Sequence, residues 1–122
     1  MADEITYQFQ TVLNNGNLQD QYSSGSSSAD QSNAKLIRNV QTIGFATHEA
    51  LELGDVATPG YAVFKNLDDT NFVQIGLEVG GTFYPFAKLG SENQGMVPLA
   101  NVTFYAQADS ADVELFYIIY DS

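Results

Sequence analysis

The sequence contains no cysteine and no tryptophan, and His48 is its only histidine. Without cysteine, neither a disulfide framework nor a thiolate metal site is available to hold the fold together. His48, beside Glu49, lacks the second His or Cys that a zinc or iron site requires, and we interpret it as a solvent-facing strand residue. We assign no catalytic residue, no cofactor and no metal ligand, and expect that the protein is not an enzyme.

Positive charge is scarce. Four Lys and Arg residues stand against fifteen Asp and Glu residues, for a formal net charge of -11. Nucleic acids and anionic membranes both require clustered cations, so we expect neither as a partner. The acidity favours solubility through mutual repulsion, with complementarity to a basic protein surface as the sharper alternative.

Long apolar runs are missing as well. The first residues, MADEITYQFQ, have neither the basic nor the apolar region of a signal peptide. No stretch approaches the eighteen or so apolar residues of a membrane span. We therefore expect synthesis in a cytoplasm and no membrane insertion.

The carboxylates do not form an evident catalytic pair. A glycosidase needs two acids that face a cleft, whereas Glu78, Asp112 and Glu114 alternate with apolar residues and are expected to point outward. Residues 66–71, NLDDTN, concentrate the oxygen ligands that calcium prefers. Because Asp and Asn are also ordinary turn formers, we interpret this segment as a plain turn and keep calcium as an alternative.

Short segments of alternating apolar and polar residues dominate the chain. The clearest cover residues 5–13, 72–79 and 112–120, and Gly80-Gly81 is a two-residue turn of the kind hairpins use. Asn14-Asn15-Gly16 predicts a turn after the first segment, and Leu18–Tyr22 is a candidate short returning strand. Pro85 within residues 82–89 predicts an edge strand or a bulge, because proline cannot donate to a ladder. Residues 37–46 are interpreted as a strand and 48–53 as a second segment, with a helical turn as the alternative.

These segments predict an all-β fold, an antiparallel two-sheet sandwich that is jelly-roll-like, with about eight or nine strands. We expect one domain over residues 1–122, with a candidate N-terminal arm at residues 1–4. Residues 23–33 contain six serines and almost nothing to bury, which predicts a flexible loop.

The aromatic content exceeds what one inward face of a small sandwich accommodates, with seven tyrosines and eight phenylalanines. The additional aromatic residues either pack in the core or form contacts between subunits, and we favour contacts between subunits. The predicted interface residues are Ile5, Tyr7, Phe9, Phe83, Tyr84, Phe86, Phe116 and Tyr120.

Segments between Val40 and Leu89 carry a family resemblance: VQTIG, EALELGDV, TPGYAVFKNLDDTNFVQIG and FYPFAKLG. Together with Phe104-Tyr105-Ala106 and Val113-Glu114-Leu115, they resemble small structural proteins of tailed-phage virions, most closely jelly-roll capsid decoration (cement) proteins. The resemblance covers about two-thirds of the sequence and consists of packing and turn motifs.

The resemblance implies a protein on the outer capsid surface of a virion, made in the host cytoplasm. Its partners would be the major capsid protein and further copies of itself, as a trimer or dimer, in symmetric clusters that bridge capsid subunits. A host-recognition module that binds glycan from a tail or head fibre is the alternative, with function in the loops at 23–33 and 68–71. A subunit of a tail or neck ring is a third interpretation.

Overall fold

A computed structural model describes residues 3–122 of the chain. These residues form twelve strands and no helix, so the all-β prediction is confirmed, whereas the predicted total of eight or nine strands is wrong. The difference arises mainly before Leu36, where four short paired strands replace one long strand, the short returning strand and a loop. Among the described residues, no helix has the length and apolar character to cross a membrane.

The chain divides into two compact units, residues 3–33 and Ala34–Ser122, and each is described by itself. Of the candidate arm at residues 1–4, Met1 and Ala2 lie outside the described residues. The backbone N–H of Asp3 donates to Asp30 Oδ1 at 2.8 Å. The two described residues of the candidate arm are tied to the serine-rich segment, because Glu4 Oε1 also accepts the backbone N–H of Gln31 at 2.9 Å.

The N-terminal unit is an antiparallel ribbon made of two paired stretches. Strand β1 (Ile5–Tyr7) pairs with β4 (Ser27–Ala29), and β2 (Gln10–Asn15) pairs with β3 (Leu18–Ser23). Ser27–Ala29 belong to the segment expected to be a loop. They form a strand because the backbone of β1 supplies the hydrogen-bond partners that short polar side chains do not.

Local chemistry sets the shape of this ribbon. Gly16 has a φ of 58° in the two-residue turn between Asn15 and Leu18, a conformation that glycine adopts without strain. The predicted strand over residues 5–13 is interrupted near Phe9, whose backbone N–H donates to Ser24 Oγ at 2.9 Å. The turn predicted at Asn14-Asn15-Gly16 is confirmed.

The C-terminal unit contains two four-stranded antiparallel sheets, ordered β10-β7-β12-β5 and β6-β11-β8-β9. These two sheets confirm the predicted antiparallel two-sheet sandwich. In chain order the eight strands are β5 (Leu36–Ile43), β6 (Glu49–Ala50), β7 (Pro59–Asn66), β8 (Val73–Val79), β9 (Thr82–Leu89), β10 (Gln94–Pro98), β11 (Tyr105–Ala108) and β12 (Val113–Asp121).

The order of these strands is that of a jelly roll. Every connection from β5 to β12 crosses from one sheet to the other, except the β8–β9 hairpin. That hairpin turns at Gly80 and Gly81, whose φ values of 60° and 84° suit the two-residue turn predicted from the sequence. The first and last strands, β5 and β12, are neighbours in one sheet, which closes the sandwich.

The core lies between the two sheets. The alternation predicted for the C-terminal strand is confirmed, because Val113, Leu115, Tyr117 and Ile119 are each at most 1% exposed. Residues of the facing sheet join them in one buried cluster. The members contributed by β8 and β11 are Val73, Ile75, Ala106 and Ala108.

Buried polar groups in this unit have partners. The Tyr117 hydroxyl donates to the Glu52 carbonyl at 2.7 Å and accepts from Asn39 Nδ2 at 3.2 Å. Burial raises the pKa of Tyr117, so the hydroxyl keeps its proton. The Asn66 side chain, fully buried, donates to the carbonyl of Asn71 at 2.8 Å. These groups connect loops to the sheets without leaving a buried donor unpaired.

Candidate protein-binding surfaces

Large apolar side chains project from one side of the N-terminal ribbon. Alternation along β2 and β3 places Phe9, Leu13, Leu18 and Tyr22 on this side, and we call these four residues the ribbon face. Their exposed fractions are 53%, 44%, 61% and 53%, and the rings of Phe9 and Tyr22 lie 5.7 Å apart. An exposed cluster of large apolar side chains is a candidate site of protein interaction.

The opposite side of the same hairpin is polar. Val12 is the one apolar residue among its six side chains. The other five are Gln10, Asn14, Gln19, Gln21 and Ser23. An isolated two-stranded hairpin is marginally stable in water, so this amphipathic ribbon gains stability when its apolar side is covered.

One sheet of the sandwich also carries apolar side chains on the face that points away from the core. Ile118 lies between Val63 of β7 and Arg38 of β5 in one row of side chains. Ile118 is buried, whereas Leu36 and Val40 at the β5 edge are exposed. We call this surface the outer sheet face. Its residues on β5, β7 and β12 are Leu36, Arg38, Val40, Thr42, Tyr61, Val63, Lys65, Glu114, Phe116, Ile118 and Tyr120.

Two of the four cations of the chain lie on the outer sheet face. The Arg38 guanidinium carbon is 5.7 Å from the centre of the Phe116 ring, a cation–π distance. Lys65 lies opposite Phe116 on the neighbouring strand. Within residues 3–122 we find no ion pair with either cation. Glu114 is a carboxylate on the same side of β12. The outer sheet face therefore combines apolar area with two cations and one carboxylate.

Strand β9 is the edge of the other sheet, as Pro85 predicted. Its pairing with β8 skips Phe86, which is the extra residue of a β-bulge. The bulge depends on Gly76, because a Cβ at that position would lie 2.2 Å from the carbonyl oxygen of Tyr84. Both alternatives for residues 82–89, an edge strand and a bulge, are thus present together.

The bulged Phe86 borders a small apolar cavity between the edge strands β9 and β10. The ring of Phe86 packs edge-on against Phe104, with ring centres 5.4 Å apart. The cavity measures about 100 Å³, below the several hundred Å³ of typical small-molecule sites. It suits one apolar side chain better than a cofactor. Its lining residues are Phe64, Ile75, Phe86, Ala87, Leu89, Gly95, Met96 and Val97.

His48 differs from the solvent-facing strand residue that we expected. It lies just before β6, and its Nε2 is 2.8 Å from Glu78 Oε2. Its ring stacks on Phe83 at 5.3 Å and meets the edge of Tyr105 at 5.8 Å. The expectation was wrong because the pattern around His48 gave no sign of these partners from β8, β9 and β11. In the described part of the chain, no group of three His, Asp or Glu residues could hold a metal.

The segment 66–71 is organised around Asp68. Its carboxylate accepts the backbone N–H groups of Thr70, at 3.0 Å, and Asn71, at 2.5 Å. These hydrogen bonds hold the pKa of Asp68 below its usual value. The geometry supports the plain-turn interpretation, since the carboxylate caps the loop backbone.

The eight predicted interface residues fall on separate surfaces, and their role in an interface stays a prediction. Ile5 and Tyr7 are in β1, and Phe9 is on the ribbon face. Phe83, Tyr84 and Phe86 are in β9, whereas Phe116 and Tyr120 lie together on the outer sheet face. Sequence reasoning missed Leu13, Leu18 and Tyr22 as one exposed cluster. Pairing the strands across Gly16 would have aligned them.

Comparison with known proteins identifies no relative of this chain. The chain matches no family model, no curated protein and no solved structure. A function must therefore be argued from the surfaces of the chain itself.

Proposed function

We propose that this protein is a structural component of a tailed-phage virion, a capsid decoration protein that binds and stabilises the outer shell. It acts by binding other protein and not by catalysis. The sequence resemblance supports this proposal, and the jelly-roll topology is compatible with it, since such domains recur in viral capsids. Because one fold hosts many functions, the exposed surfaces of this chain must distinguish among them.

The observation that carries the proposal is the exposed ribbon face. Phe9 and Tyr22 expose about half of their side-chain area, although large apolar groups gain about 1.5–3 kcal/mol each on full burial. A hairpin that presents such groups to water is built to contact another protein. The small apolar cavity beside Phe86 offers no comparable site for a substrate.

Repetition on a symmetric shell makes modest contacts sufficient. A homo-oligomer, a trimer or dimer, places several identical surfaces against the major capsid protein at once. Linked contacts raise the effective concentration of one another, so the assembly binds more tightly than one copy does. The net charge of -11 further disfavours nonspecific association among free copies.

The proposal is tested by cosedimentation with capsids assembled from the major capsid protein encoded with this chain. The full chain is expected to sediment with capsids and to saturate at a fixed stoichiometry. Deleting residues 1–13 is expected to abolish capsid binding. Because that deletion also removes β1 and part of β2, a second variant carries Phe9→Ser and Leu13→Ser in the full chain.

Val12→Ser is the matched control, because Val12 lies on the polar side of the same strand and is even more exposed than Leu13. Normal capsid occupancy by the control, with loss of occupancy for the Phe9 and Leu13 variant, supports the proposal. Full occupancy after deletion of residues 1–13, or failure of the full chain to bind capsids, contradicts it.

Jelly-roll domains also occur among lectins, and this topology keeps glycan recognition as the second candidate. A glycan array probed with the full chain, with and without a chelator, separates the two functions. Reproducible binding to one class of sugar, together with absence from capsids, would replace the decoration function with host recognition.

A further inference from the structure

The ribbon face has an acidic character that limits what can cover it. Residues 1–33 contain no Lys, Arg or His, and their carboxylates are Asp3, Glu4, Asp20 and Asp30. Asp20 lies directly opposite Leu13 on the ribbon, so its charge borders the apolar cluster. The described residues include no ion-pair partner for Asp20. A surface that covers the ribbon face without electrostatic cost must be apolar and carry cations.

The chain itself has such a surface in the outer sheet face. Apolar Val40, Phe116 and Ile118 are interleaved there with Arg38 and Lys65 across adjacent strands. Among residues 3–122, neither cation has an anionic partner. Glu114, which accepts a hydrogen bond from Thr42 Oγ1 at 3.2 Å, is the one carboxylate among the described residues of this face, so its two cations leave a net positive charge. This face therefore supplies both properties that the ribbon face requires.

The two surfaces also agree in length. Strands β2 and β3 have six residues each, which corresponds to about 20 Å of extended chain. Strands β5 and β7 have eight residues each, or about 26 Å. A two-stranded ribbon can therefore lie along this sheet in the ordinary geometry of stacked sheets, which pack about 10 Å apart.

We propose that the ribbon face of one copy docks on the outer sheet face of a second copy. Asp20 then lies near Arg38 or Lys65, and Leu13 and Tyr22 pack on the apolar rows around Phe116 and Ile118. The contact is heterologous, and it forms a ring of identical subunits where its rotation closes around an axis. This inference rests on the proposed function and deepens it by identifying the contact between copies. The ribbon face then contributes to capsid binding by assembling the oligomer, and the contact between copies can be tested without a capsid.

A second ribbon is the main competing occupant. Two ribbon faces packed on each other would bury Leu13 and Tyr22 equally well. That arrangement brings two copies of Asp20 together, with no cation in residues 1–33 to compensate. Like charges at a contact cost free energy, so the observed charges favour the outer sheet face.

Sedimentation velocity of the full chain over a range of concentrations tests the proposal. The native chain is expected to self-associate. Asp20→Lys and Arg38→Glu are each expected to weaken association by about tenfold or more, because each places like charges together. The double variant restores opposite charges and is expected to associate more tightly than either single variant. Asp55→Lys, in an exposed turn, makes the same change in net charge as Asp20→Lys and serves as its control.

A second pair of variants keeps the test independent of charge. Leu13→Ser is expected to weaken association by about tenfold, whereas Val12→Ser on the polar side leaves it unchanged. A native chain that stays monomeric, or a double variant no tighter than the single variants, overturns the proposal. Loss of association with Leu13→Ser but not with Arg38→Glu overturns it in favour of ribbon-to-ribbon packing.

The outcomes separate this inference from the proposed function. A chain that self-associates by these rules but does not sediment with capsids retains the inference and loses the decoration function. A chain that binds capsids yet is insensitive to Arg38→Glu and monomeric in solution retains the function and loses the inference.

Discussion

The N-terminal ribbon and the C-terminal sandwich use similar apolar residues in opposite ways. In the sandwich, Leu115 and Ile119 are excluded from water between two sheets. In the ribbon, Leu13 and Leu18 follow the same alternation along paired strands but face solvent. Both regions therefore form paired strands with alternating apolar residues. Only in the sandwich does a second sheet bury those residues.

This difference separates the region that stabilises the fold from the region that we propose contacts other protein. The free energy of folding comes mainly from the buried cluster of the sandwich, because burial of apolar area is the dominant favourable contribution. The ribbon leaves its apolar area exposed, and in the proposed contact its burial would contribute to the free energy of binding. Substitutions in the two regions should therefore change the free energy of unfolding by different amounts.

The largest difference is expected between two leucines. Leu115→Ala should lower the free energy of unfolding by about 3 kcal/mol, because it opens a cavity in the core. Leu18→Ala should change it by less than about 0.5 kcal/mol in the monomer, because Leu18 is exposed. Urea denaturation of both variants measures the difference, and equal losses would remove the distinction between the two regions.

The β-bulge of the sandwich provides the next largest effect. Gly76→Ala places a methyl group 2.2 Å from the Tyr84 carbonyl oxygen, so the β8–β9 pairing must shift. We expect a loss of about 2 kcal/mol in unfolding free energy. Gly95→Ala, where a Cβ meets no atom within 4 Å, is the matched control. Denaturation curves that coincide for the two variants would contradict this account of the bulge.

A smaller effect is expected from one buried hydroxyl. Tyr117→Phe removes the donor to the Glu52 carbonyl and leaves Asn39 without its acceptor. The expected loss is about 1 kcal/mol, typical of one hydrogen bond. Tyr22→Phe, in the exposed ribbon, should leave the unfolding free energy of the monomer unchanged. A native-like thermal midpoint for Tyr117→Phe would show that this hydroxyl contributes no stability.

The smallest effect concerns pH. Hydrogen bonds from Thr58 hold the pKa of Asp121 below its usual value, about 3.9 in the unfolded chain. The ionised carboxylate therefore stabilises the fold above about pH 4, and this contribution is lost as the pH falls through the lowered pKa. Asp121→Asn should flatten the decrease in stability between about pH 4 and pH 2. A pH series of thermal midpoints with equal slopes for both chains would contradict this.

Sequence patterns predicted the sandwich better than the ribbon. The alternation in β12 and the Gly80-Gly81 turn are local signals, and both agree with the structure. Pro85 predicted the edge and the bulge because it cannot donate a hydrogen bond. The placement of β12 between β5 and β7 depends on partners distant in the chain, which no local pattern encodes.

The candidate surfaces were only partly predictable for the same reason. Phe116 and Tyr120 were identified because apolar residues occupy both sides of one strand. The strand at Ser27–Ala29 was missed, since its pairing with β1 uses backbone groups that every residue carries. Arg38 beside Phe116 was also missed, because their contact joins strands from opposite ends of the sandwich sequence.

Amide hydrogen exchange of the full chain, followed by mass spectrometry, tests the contrast between the two regions most directly. In dilute solution, where single copies predominate, the amides of β2 and β3 should exchange far faster than those of β7 and β12. At high concentration, the proposed association of copies should raise protection in β2 and β3 and leave the sandwich core unchanged. Amides of β2 and β3 that are as protected as those of β12 in the dilute chain would contradict the account.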